Sequence, residues 1–152
     1  MTASVSSGIH AISRVEIQDA ARRIAGHVRR TPCIALEDGA FAVDARIFLK
    51  LETVQHTGSF KPRGAFNCIL SSEVPKAGVI AASGGNHGAA VAYAAHQLGY
   101  PAEIFVPTIS SPNKVERLRQ YGATRSPATT LFSRFPVPLP PSARYRPFPP
   151  QR

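Results

Sequence analysis

Apolar positions recur at helical spacing early in the chain. Ile17, Ala20, Ala21, Ile24, Ala25 and Val28 share one face, and Ser13 followed by Glu16 is a capping-box signature just before them. The spacing predicts a helix with one apolar stripe. Residues 46–51 are few and partly alternating, which suits a strand. Ser59 is placed to cap a helix running to about Leu70, with Pro62 tolerated in its first turn. From Gly78 the rhythm tightens. Residues 78–82 read as a buried strand, 86–98 as a helix stopped by Gly99, and 102–106 as another strand. Ser111 and Pro112 open a helix that closes at Gly122. Strand and helix units in that succession build a parallel sheet with right-handed crossovers, so the expected class is α/β.

Composition divides the chain in two. Residues 126–152 hold four arginines and eight of the 14 prolines, with no glycine, lysine or acid. The formal charge of +9 therefore falls to +5 over residues 1–125. A boundary is expected after Arg125, with a folded part over 1–125 and a disordered Pro/Arg-rich tail over 126–152. Eight prolines remove backbone donors, and no periodic apolar face remains to build a core. The joint loss of Gly, Asp, Glu and Lys also fits a coding frame that shifts at that point. Residues 147–152 match a P-x-x-P-x-R pattern that aromatic-lined grooves bind, although such patterns arise easily in Pro/Arg-rich text.

A chain of 152 residues can bury about 70% of its unfolded surface, so no staple is needed. Cys33 and Cys68 read as reduced thiols, and with no Cys/His cluster no metal site is expected. No apolar run approaches the roughly 20 residues of a membrane helix, and the first ten residues lack a basic start and an apolar core. A soluble, cytoplasmic protein is the expectation.

Candidate chemistry is concentrated in Thr57-Gly58-Ser59-Phe60-Lys61-Pro62-Arg63-Gly64-Ala65 and Ser83-Gly84-Gly85-Asn86-His87-Gly88, each where a loop meets a helix start. The second puts a serine and two glycines between a strand end and a helix N-terminus, where free amides and the helix dipole favour a carboxylate or phosphate. Glycine at such a turn also serves as plain steric relief. Lys61, beside an aromatic and near an anion loop, is a candidate nucleophile, whereas most lysines are solvated surface groups.

Together the two segments resemble those of the fold-type II pyridoxal-phosphate enzymes, specifically the serine/threonine dehydratase branch. Lys50-Leu51-Glu52, Gln55, Thr57 to Lys61 and Arg63-Gly64-Ala65 are similar to its cofactor-lysine motif, and Ser83 to Gly88 to its substrate-carboxylate loop. The related synthases usually carry Asp-Arg after the lysine, so Pro62-Arg63-Gly64-Ala65 favours the dehydratases. The resemblance covers about residues 15–125. It implies a tryptophan synthase β-like fold, present in part, and pyridoxal 5'-phosphate as cofactor. It further implies that Lys61 forms the Schiff base, that Phe60 lies against the ring and that Asn86 hydrogen-bonds its 3-hydroxyl. Ser83, Gly84, Gly85, Asn86 and His87 would hold or shape the site of an amino acid carboxylate. Lys61 would take the α-proton, the β-hydroxyl would leave, and a 2-oxo acid and ammonia would result. Racemising relatives place a hydroxyl residue where Gly84 stands, so β-elimination is expected over racemisation. His87 and His56 are read as structural, and His10, His27 and His96 as solvated or half-buried.

Family members run to roughly twice this length, by the size of two-domain enzymes. Their later half carries the glycine-rich phosphate loop and the residue that meets the pyridine nitrogen, and full-length relatives often pair. No such glycine-rich run occurs here. Three readings therefore stand side by side: a dehydratase by descent, a catalytically incomplete fragment acting at most as a binding module, and a basic nucleic-acid binder. The last is weakest, since a cationic tail alone binds through nonspecific, salt-dependent contacts.

Overall fold

The computed structural model describes residues 11–127. Helix α1 spans Arg14–Arg23. The Ser13 hydroxyl accepts from the Glu16 amide at 3.2 Å, and the Glu16 carboxylate accepts from the Ser13 amide at 2.7 Å. This is the anticipated capping box. The helix stops short of the expected stripe because Gly26, at φ 83°, turns the chain away. Of that stripe only Ile24 is buried; Ile17 stays 60% exposed.

Strand β1 (Cys33–Ala35) pairs antiparallel with β2 (Phe48–Lys50), Cys33 facing Lys50. The second lies inside the expected span. The first has no sequence signature, because three exposed residues carry too little alternation to register.

Helix α2 runs Lys61–Leu70, and its cap differs from expectation. A 3-10 turn over His56–Gly58 puts Thr57 at φ 60° and Gly58 at φ 69°. The chain leaves that reversal with Ser59 fully extended, so Phe60 stands at the helix entrance and the Ser59 hydroxyl is buried without a hydrogen-bond partner. Ser59 is therefore not the cap.

Strands β3 (Val79–Ala82) and β4 (Ala102–Val106) form the anticipated parallel pair, and β5 (Thr124–Pro127), a strand absent from the sequence reading, pairs parallel with β4 to complete the order β3-β4-β5. Val79 pairs with Ala102, and Ile104 with Arg125. Helix α3 (Asn86–Gln97) crosses from β3 to β4, and α4 (Pro112–Gln120) from β4 to β5. The central strand is the buried one: Ile104, Phe105 and Val106 are closed to solvent. Strand β3 is an edge, and contrary to the sequence reading only Ala81 is buried there, with Ile80 half exposed. Strand β5 carries on through Ser126 and Pro127, two residues past the compositional break. The remainder of the expected disordered tail lies outside the described residues.

The core forms where α3 lies on α2 and β4. Ala90, Ala92, Ala94 and Ala95 are closed to solvent, and these small side chains let α3 approach Phe66 and Ile69 of α2 and Ile104 of β4. At Gly88 the helix is tight against the preceding loop, where a Cβ would lie 2.2 Å from the Ser83 carbonyl oxygen. That contact seats the first turn of α3 in the loop after β3.

Candidate active site

Lys61 is the first residue of α2, and the segment before it is pinned from α4. The Arg117 guanidinium donates to the carbonyl of Thr57, the residue held in the left-handed region, and lies 5.8 Å from the centre of the Tyr121 ring. A non-glycine residue in that region is costly unless its surroundings hold it. On the other side Arg63 bonds Glu52 with both arms of its fork, Nε to Oε2 at 2.9 Å and a terminal nitrogen to Oε1 at 2.8 Å. The Arg63 guanidinium holds the Glu52 carboxyl below the usual glutamate range, against the opposite pull of burial and with help from the Thr31 hydroxyl.

Between these anchors the Lys61 ammonium rests 5.1 Å from the centre of the Phe60 ring. Both residues are exposed at the mouth of a cleft of about 640 Å³ that Ile69, Val74, Ile80 and His87 also line. The loop after β3 closes on itself: the Ser83 hydroxyl accepts from the Gly85 amide at 3.2 Å. Gly84, Gly85 and Asn86 line a smaller pocket of about 70 Å³, walled by Lys114 and Arg117 of α4. The fold thus brings Lys61, Phe60 and His87 to one cleft and sets Gly84, Gly85 and Asn86 on a separate small pocket, with Ser83 lining neither.

His56 lies in an aromatic wall, stacked on Tyr93 with Nδ1 3.1 Å from the tyrosine oxygen. Burial, and then the charge of Arg29, lower its pKa. His27 stacks on Phe66, while His10 lies outside the described residues. Thr31, Ser110 and Arg117 carry no signal in the sequence, since nothing in local spacing links them to either motif. Among the described residues no cluster of His, Cys, Asp or Glu could hold a metal ion, and no helix is long and apolar enough to cross a membrane.

A lysine at a helix start, an aromatic ring against it, and a glycine-rich strand-to-helix loop nearby on a parallel sheet define an α/β protein suited to a carbonyl-bearing group and an anion. The family model for "Pyridoxal-phosphate dependent enzyme" matches residues 24–129, and the chain belongs to that family. It is 42% identical over 111 residues to an L-threo-3-hydroxyaspartate ammonia-lyase of Pseudomonas sp, covering 72% of this chain and 35% of that protein. It is also 42% identical over 109 residues to an L-threonine ammonia-lyase of Geobacter sulfurreducens, covering 70% and 27%. Among solved structures it resembles a maize serine racemase, with TM-score 0.67, 38% identity and coverage of 78% and 39%. A threonine deaminase from T.th. gives 0.67, 36%, 81% and 42%. The chain spans about a third of the length of the curated relatives it matches.

The family and its solved members indicate pyridoxal 5'-phosphate as the cofactor. The residues present fit it at the aldehyde and ring: an exposed lysine amine, a phenyl face beside it, and a cleft of ample volume.

Proposed function

We propose that this chain is the lysine-bearing portion of a pyridoxal-phosphate-dependent dehydratase that eliminates water from a hydroxy amino acid to give a 2-oxo acid and ammonia. The observation that carries the reading is Lys61 over Phe60 at the cleft mouth, beside the Ser83 to Gly88 loop. Lys61 would hold the cofactor by its aldehyde carbon, Phe60 would lie along the ring, and Asn86 would reach the ring hydroxyl. When bound, the cofactor withdraws electrons from the amino acid's α-carbon, so that its proton becomes removable.

The chain's own residues then divide the work. Amides around Gly84 and Gly85 and the Ser83 hydroxyl would receive the substrate carboxylate at the start of α3, fixing which bond at the α-carbon faces Lys61. His87 would shape that loop from the cleft side. Lys61, displaced by the incoming amine, would take the α-proton and return it to the β-hydroxyl, which would depart as water; the released enamine would tautomerise and be hydrolysed to the 2-oxo acid and ammonia. Gly84 has no side chain to act as a second base on the opposite face. One base suits elimination, and racemases among the solved relatives make the distinction worth measuring.

The chain's coverage of only about a third of its relatives supports a second reading, in which it binds ligand without completing the reaction. One experiment separates the two. The 152-residue chain is mixed with pyridoxal phosphate, its visible spectrum recorded, and the complex reduced with borohydride and mapped. Stoichiometric label on Lys61 with other lysines spared supports a working cofactor pocket. Assays for 2-oxo acid from serine, threonine and threo-3-hydroxyaspartate, and for conversion of L- to D-serine, then follow. Scattered or absent label refutes the cofactor role of Lys61 in this chain.

A further inference from the structure

We propose that Arg63 is the positioning residue for Lys61, holding the first turn of α2 so that the lysine amine lies over Phe60; this deepens the reading of Lys61 as the cofactor lysine and rests on it. Pro62 fixes one φ angle of the turn, but two other anchors of a helix start are missing. No acid lies in it and no side chain caps it. The two hydroxyls best placed to help, on Thr57 and Ser59, are buried without a partner. A helix end without such anchors leaves its first amides unsatisfied and its direction poorly held.

Arg63 replaces those anchors from inside the helix. Besides its two bonds to Glu52, its terminal nitrogen reaches the Thr31 hydroxyl at 3.2 Å and the Arg29 carbonyl at 3.1 Å. Thr31, itself buried, donates to Glu52 at 2.6 Å. Gln55 closes the arrangement, accepting from the Arg29 amide and donating to the Arg29 carbonyl, both at 2.9 Å. One guanidinium two residues after the lysine therefore ties α2 to two separate stretches of chain, while Arg117 holds Thr57 before the lysine. A partly buried ion pair of this kind contributes little net stability, because desolvation and solvent screening offset the attraction. What a planar fork supplies is direction, which a single ammonium cannot.

The test uses the full chain and the variants Arg63→Lys and Glu52→Gln. Proton NMR of the Lys61 ε-methylene reads its place over the Phe60 ring as an upfield ring-current offset, with Lys76 and Lys114 as internal references. Borohydride labelling with pyridoxal phosphate is the second readout. Arg63→Lys is expected to remove most of the offset and to lower Lys61 labelling roughly ten-fold, leaving circular dichroism and the reference lysines unchanged. Glu52→Gln moves Lys61 the same way by less, and it decides the matter if Arg63→Lys does not fold. Unchanged Lys61 signals in a folded variant, or no offset in the parent chain, overturn the proposal. If the offset depends on Arg63 but the parent takes no label, positioning stands and the cofactor reading falls.

Discussion

The Ser110 Oγ fills the space in which a side chain on Gly84 would begin: a Cβ there would lie 2.8 Å from that oxygen and 3.4 Å from Cδ of Pro107. Gly84 follows β3 and Ser110 follows β4, so the two loops meet at the carboxyl ends of neighbouring parallel strands, where ligands of open α/β sheets commonly bind. Gly84→Ala is expected to cost about 1 kcal/mol as the hydroxyl is pushed aside, and Ser110→Gly in the same chain should return at least half of it. Urea unfolding of the four members of this cycle measures the coupling. Equal cost in both backgrounds would show that the contact is not the cause.

Gly88 allows no such accommodation. Its missing Cβ would meet the Ser83 carbonyl oxygen at 2.2 Å and Ile104 Cγ2 at 3.1 Å, and the first of these is backbone. Gly88→Ala is expected to destabilise the chain by about 3 kcal/mol or more and to displace the Ser83 loop. Thermal melts with amide shifts of Gly84 and Gly85 check both effects; a melt within a degree of the parent would contradict them.

Acid should weaken the fold through His56. Its pKa in the folded chain lies below the ordinary value of 6.5, so the unfolded chain binds the proton more readily. The stability present above that value is lost as pH falls through the folded pKa. Glu52, also lowered, acts with the same sign in the more acidic carboxylate range. His56→Gln removes the ring's titration and should flatten the decline between neutral pH and the carboxylate range. Tyr93→Phe, which deletes the hydroxyl facing Nδ1, should cost about 1 kcal/mol at neutral pH. Urea midpoints across pH for the three chains settle it.

Exposed apolar side chains lead to self-association. Ile80 on the edge strand is 53% exposed and Phe60 60% exposed, and both line the same cleft, with half-buried Val74. Contiguous apolar surface of this kind drives chains together. Sedimentation should show association rising with concentration, and Ile80→Lys should reduce it while changing stability by no more than about 0.5 kcal/mol. Identical sedimentation of both chains would count against this face.

Much of the fold was legible because it is local. The Ser13 and Glu16 box, the glycines at 99 and 122, and the short apolar runs of β3 and β4 each act within a few residues, and the parallel sheet follows from their succession. The errors fall where tertiary contacts override local preference. Ser59 loses the cap because Thr57 and Gly58 turn the chain before it, and β3 is half exposed because only the face that carries Ala81 is covered, while Ile80 and Ala82 on the other face stay exposed.

For the site, spacing along the chain located Lys61 at one helix start and the Ser83 to Gly88 loop at another, because a helix terminus with glycines before it has a short-range signature. No spacing could reveal that Arg63 reaches back 32 residues to Thr31, that Arg117 reaches 60 to Thr57, or that Ser110 fills the space beside Gly84. Those contacts exist because packing α2, α3 and α4 against the sheet folds distant segments onto one another. Hydrogen bonds and van der Waals contacts depend on distance in space, which separation along the chain does not specify.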